Sequence, residues 1–139
     1  MISRVLIGYD GSSAAERAFE FALDLARQYA AELHVLAVAR PPEYGTEVET
    51  EAMIEQGRRH YAHVLKPLKA RLGGGTPKSA FEVAVGHPAE QILLYAERHR
   101  IDLIVVGHRG HTGFGRWLIG SVARQVIVHA ECAVTVVRG

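Results

Sequence analysis

The sequence predicts an α/β fold, an open parallel sheet with helices on both faces, held in one domain spanning residues 1–139. Short continuous apolar runs recur along the chain, as buried parallel strands require, and each is followed by a turn and, in all but the last case, a helical pattern. With 139 residues, 48% of them hydrophobic and 22% charged, the chain suits a single core of ordinary composition that needs neither disulfide nor metal.

The elements follow in order. Arg4-Val5-Leu6-Ile7 is a buried strand stopped by the turn Gly8-Tyr9-Asp10-Gly11. Ser13 with Glu16 three residues on has the form of a capping box, and Ala15, Ala18, Phe19, Ala22, Leu25, Ala26 and Tyr29 then keep helical spacing to about residue 31. Leu33 to Val38 is the second strand, ended by Arg40-Pro41-Pro42, because a residue before proline is pushed out of the helical region. A charged helix follows from Glu47 to Leu72, with Tyr61, Leu65, Leu68 and Leu72 on one stripe, a kink expected at Pro67 and Gly73-Gly74-Gly75 as terminator.

Phe81 to Val85 forms the third strand, and Gly86-His87-Pro88 turns into a helix whose apolar face is Ala89, Ile92, Leu93 and Ala96. Leu103 to Val106 reads as a central strand. Ser121 to Ala130 is helical with Val122, Val126, Ile127 and Ala130 inward, and Ala133 to Val137 closes the sheet. Four loops leave the carboxyl ends of strands and share one rim, where open α/β sheets hold their ligands.

Composition removes several function classes. Sixteen Lys+Arg against fifteen Asp+Glu leave a charge of +1, too little field for a nucleic-acid partner. The apolar runs Leu103–Val106 and Val134–Val137 fall far short of the roughly 20 residues of a membrane span. The lone Cys132 and an N-terminal run without a cleavage pattern predict a cytoplasmic protein, with Cys132 a buried small hydrophobe. Eight histidines are scattered without zinc-type pairing, so no metal site is expected. Ser12, Asp10 and His108 lack the nucleophile elbow of a hydrolase, so no catalytic residue is assigned.

One local excess points to a ligand. Five of the 14 glycines (Gly107, Gly110, Gly113, Gly115, Gly120) fall between residues 107 and 120, after a strand and before a helix. Glycine admits close backbone approach, and a helix N-terminus offers unpaired N–H groups and partial positive charge, so a phosphate chain fits there. Ser121 either adds a hydroxyl or serves as N-cap. The segment from Gly115 to Ser121 lacks the lysine of a P-loop, and Gly113-Phe114-Gly115 meets Leu118 where a dinucleotide fingerprint needs glycine. Asp10 suits a ribose hydroxyl or a magnesium ion on the phosphates, and equally a turn in which it bonds its own backbone. Arg109 is the candidate to offset phosphate charge, whereas Arg116 and Arg124 read as surface cations, and Trp117-Leu118-Ile119 reads as a plug or dimer contact.

The spacing Gly107-x2-Gly110-x9-Gly120-Ser121 resembles the ATP-binding motif of the universal stress protein family. The resemblance extends to Val5–Ser12, Gly86-x-Pro88, Leu103–Gly107 and the C-terminal segment Gly120 to Arg138. It implies a Rossmann-like sheet of order 3-2-1-4-5, of the adenine nucleotide alpha hydrolase-like type, and a homodimer through the C-terminal strand. It also implies an ATP-binding regulatory role in stress response. Gly8 and Asp10 would border the adenosine, Val38 would meet adenine through its backbone, and Val106 and Gly107 would line base and ribose. Gly110, Gly120, Ser121 and Val122 would surround the phosphates, with magnesium accompanying them. The chain departs from the family in His108-Arg109, where a small hydroxyl residue before a basic one is commoner, and in Ala133, which replaces a frequent proline. Two other readings stand beside this one: a slow ATPase, and a dimeric interaction module that binds no nucleotide.

Overall fold

The computed structural model describes residues 1–73, 75–108 and 120–138. Five parallel strands lie in the order β3-β2-β1-β4-β5: β1 (Arg4–Gly8), β2 (Glu32–Ala39), β3 (Ser79–Val85), β4 (Leu103–Gly107) and β5 (Ala133–Val137). Between them run α1 (Ser13–Tyr29), α2 (Glu47–Leu72), α3 (Pro88–Arg98) and α4 (Ser121–His129). The expected order is the observed one, and the strand direction is parallel throughout.

Strand side chains alternate between two cores, because successive residues of a strand face opposite sides of the sheet. Val5 and Ile7 of β1, Leu33, Val35 and Ala37 of β2, and Leu103 and Val105 of β4 pack under α1 and α2. Leu6, Leu36, Val38, Ile104 and Val106 pack under α3 and α4. Both faces being covered explains why the central strands read as unbroken apolar runs. Among the described residues no helix is long and apolar enough to cross a membrane.

Several local expectations are corrected. Ser12, not Ser13, caps α1: its Oγ accepts from the Ala15 amide at 3.1 Å, and Glu16 turns away to Tyr9 and Arg71. The helix ends at Tyr29, 49% exposed, because Ala30 enters the left-handed region at φ 53° and its amide closes onto Ala26 and Arg27. Ile127 is 45% exposed, since a position next to the fully buried Val126 is rotated about 100° away from the core. Cys132 is half-buried at the edge of the second core. The bounds of α2, Glu47–Leu72, are those expected, with Pro67 inside the helix.

The chain moves from β1 outward to β2 and β3, then returns across β1 to β4, so its order reverses between β1 and β4. Their carboxyl ends flank the crevice that such a reversal opens.

Candidate functional site

A cavity of about 520 Å³ occupies that crevice. Its walls include Gly8, Tyr9 and Asp10 at the end of β1, Val38, Ala39 and Arg40 at the end of β2, and Val106, Gly107 and His108 at the end of β4. Ser12 and Ala15 of the first turn of α1, Gly57 and Tyr61 of α2, and Gly120, Ser121, Val122 and Ala123 at the start of α4 complete most of the rim. Pro88 and Ile92 of α3, with Leu36 of β2, add apolar wall.

Eight of the ten residues singled out in the sequence therefore meet in one place: Gly8, Asp10, Val38, Val106, Gly107, Gly120, Ser121 and Val122. Arg109 and Gly110 lie outside the described residues, as do His111, Gly113, Gly115, Arg116 and Trp117-Leu118-Ile119.

The start of α4 is built differently from the starts of α1 and α2. Those helices are capped by side chains, Ser12 Oγ on the Ala15 amide and Thr46 Oγ1 on the Glu49 amide, both at 3.1 Å. For α4 the N-cap is Gly120, which has no side chain to offer, and Ser121 is the first helical residue. The first backbone bond of the helix runs from the Arg124 amide to the Gly120 carbonyl at 3.0 Å. The amides of Ser121, Val122 and Ala123 therefore have no partner within the helix, and all three residues line the cavity. An anion is the natural guest of such an end. Gly120 itself is anchored: its amide donates to the His108 carbonyl, and the His108 amide to Val137, each at 2.8 Å, which ties the rim to β5.

The glycines of the rim serve different ends. A Cβ on Gly107 would stand 2.9 Å from the backbone carbon and oxygen of Ala14, so this glycine lets α1 settle onto the end of β4. The sequence suggested ligand approach there; helix packing is the constraint the structure exposes. On Gly8 the one tight approach of the same atom would be to Ile92 Cδ1, at 2.7 Å, the movable end of a side chain, with Ile92 Cγ1 and Val106 Cγ1 at ordinary contact distances of 3.4 and 4.0 Å. Gly57 brings α2 against β2, where an added Cβ would lie 3.1 Å from that of Ala39.

Polar groups near the opening of β1 are largely committed to structure. Asp10 Oδ1 accepts from the Ser12 amide at 2.9 Å, the turn expected of Asp10-Gly11-Ser12, with Gly11 at φ 83°. The Tyr9 hydroxyl donates to Glu16 Oε2 at 2.8 Å, and burial together with that carboxylate pushes its pKa up to about 12. Burial alone would raise Glu16, but the hydrogen bonds from Arg71 and Tyr9 outweigh it and hold the carboxyl below its ordinary range. Tyr61 is raised by burial and by the nearby charge of Asp10, and drawn back by Arg40, so its phenol is a neutral donor at physiological pH. Among the described residues no group of three or more His, Cys, Asp or Glu side chains is arranged to hold a metal.

Sequence reasoning did not single out Tyr9, Arg40, Gly57 or Tyr61 as lining residues for the cavity, whereas His108, expected there, does line it. A lone glycine inside a helix, at a cost of about 1 kcal/mol against alanine, is the signal that marks Gly57; Tyr61 reads from sequence only as part of the apolar stripe of α2.

Comparison with known proteins agrees with the architecture. The model of the universal stress protein family matches residues 1–138. Universal stress protein MJ0531 of Methanocaldococcus jannaschii is 33% identical over 145 residues, covering 99% of this chain and 83% of its own. Among solved structures, universal stress protein UspA from Lactobacillus plantarum superposes with a TM-score of 0.87 at 31% identity, covering 99% of this chain and 98% of its own. A universal stress protein family protein from Arabidopsis thaliana, solved with AMP bound, gives a TM-score of 0.71 at 22% identity over 98% of this chain and 91% of its own.

Proposed function

This chain belongs to the universal stress protein family, and from that premise we propose that its rim cavity binds an adenine nucleotide such as ATP, in a homodimer whose partner choice or conformation the nucleotide regulates. The observation that carries the reading is the bare start of α4, where the amides of Ser121, Val122 and Ala123 border a cavity of about 520 Å³, within the usual range for small-molecule sites. Those amides suit the phosphates, Gly110 and Arg109 being assigned to the same end. The apolar wall of Leu36, Val38, Val106 and Ile92 suits a base at the other. Magnesium would travel with the phosphates. The AMP in the Arabidopsis protein shows that one member of this fold takes such a ligand.

A binding role rather than a catalytic one is supported by how Asp10, Ser12 and Tyr9 are used: each makes a hydrogen bond within the fold, at 2.9, 3.1 and 2.8 Å. For the dimer, the support is that β5 is an edge strand beside an α4 surface on which Ile127 and Val128 are 45% and 68% exposed. Heating freshly purified protein and weighing the released molecule tests the ligand, with an adenine nucleotide expected and an empty protein opposing it. Sedimentation at micromolar concentration tests the dimer; a monomer would contradict it.

A further inference from the structure

Two tyrosines line the cavity, and they differ in what their hydroxyls do. Tyr9 donates to Glu16 at 2.8 Å and is held edge-on to Phe19, so it belongs to the core. Tyr61 is half-buried on α2 and packs its ring against the first core, yet among the described residues its hydroxyl makes no hydrogen bond. Its position depends on Gly57, one helical turn earlier, which brings α2 close enough to Ala39 for the following turn to overhang the cavity.

We propose that Tyr61 is a specificity-determining residue that reads the sugar hydroxyls of the nucleotide together with Asp10. This rests on the reading of the cavity as an adenine nucleotide site. Both residues line the same cavity, which α4 bounds with the amides of Ser121, Val122 and Ala123. The bare amides of α4 favour phosphate and the Asp10 carboxylate disfavours it, so the sugar rather than the phosphates lies toward Asp10. A phenol donor and a carboxylate acceptor together match a pair of hydroxyls, each of which both donates and accepts. Arg40 lines the same opening and acts on Tyr61 with the sign opposite to that of Asp10.

The test is calorimetric titration of ATP, 2′-deoxyATP and 3′-deoxyATP, each with magnesium, into the wild-type protein and Tyr61→Phe. Phenylalanine keeps the ring that packs on the core and removes only the hydroxyl, so folding is preserved and verified by melting. Loss of one hydrogen bond corresponds to about five-fold in affinity. Wild type should prefer ATP to at least one deoxy analogue, and Tyr61→Phe should bind ATP about five-fold more weakly with that preference reduced. Wild type that binds ATP, with Tyr61→Phe unchanged in affinity and in discrimination, would overturn the assignment of Tyr61 and leave the nucleotide site standing. Wild type that binds none of the three would overturn the site itself.

Discussion

Gly107→Ala separates a packing role from a ligand role at the end of β4. The added methyl would stand 2.9 Å from both the carbon and the oxygen of the Ala14 peptide and 3.1 Å from its Cβ. Two of the three are backbone atoms in the first turn of α1, which cannot rotate aside as a side chain can. The helix must lift, or the β4 terminus must drop away from Val137, its register partner in β5. Overpacking of this kind costs about 1–3 kcal/mol, which for a domain of this size lowers the melting temperature by roughly 2–12 °C. Because Ser12 and Ala15 on the same turn line the cavity, nucleotide affinity should fall with it. Gly8→Ala is the control: its methyl meets side-chain atoms alone, closely only Ile92 Cδ1, so melting should fall less than in Gly107→Ala. Scanning calorimetry of the two variants reads the difference. A Gly107→Ala protein melting within about 1 °C of wild type, against the shift worked out above, would refute the packing account.

Two other perturbations follow from named contacts. Ser12→Ala removes the side-chain cap of α1 and should cost about 1 kcal/mol by chemical denaturation, with Ser13→Ala near neutral. The second concerns His34, buried between β2 and α3. Its Nε2 lies 3.1 Å from Glu32 Oε1, which only accepts, so that nitrogen carries the proton; Nδ1 then accepts from the Tyr95 hydroxyl at 2.6 Å. Burial lowers the His34 pKa against the opposing pull of Glu32, so near neutral pH the unfolded chain binds the proton more readily than the native one. That stability is present above the unfolded value of about 6.5 and is lost as pH falls toward the lower native value. Between pH 7 and 5 wild type should therefore lose more stability than His34→Gln, measured by urea unfolding; equal slopes would contradict it.

The fold was legible because each central strand is covered on both faces and so leaves an uninterrupted apolar run, and because Gly-rich and Pro-rich turns punctuate them. The rim glycines and Asp10 were legible for the same local reason: they follow strand ends directly. What escaped was set by contacts distant in sequence. Tyr61 joins the cavity only because Gly57 seats α2 on Ala39, and the purpose of Gly107 is visible only once Ala14 lies over it. Ser12 and Ser13 differ by one position in a region where both suit a cap, and the geometry of the turn at Gly11 decides between them. Ile127 beside Val126 shows the limit of reading apolar residues as inward: one helix face cannot hold both, and an edge helix leaves the second to solvent.

The central claim is that the crevice between β1 and β4, with the uncapped start of α4, holds an adenine nucleotide. Melting of the nucleotide-free protein across an ATP titration with magnesium tests it most directly. At 100 times the dissociation constant, binding adds about 2.7 kcal/mol, and the melting temperature should rise by roughly 5–10 °C. A melting temperature that stays flat up to millimolar ATP would contradict the account.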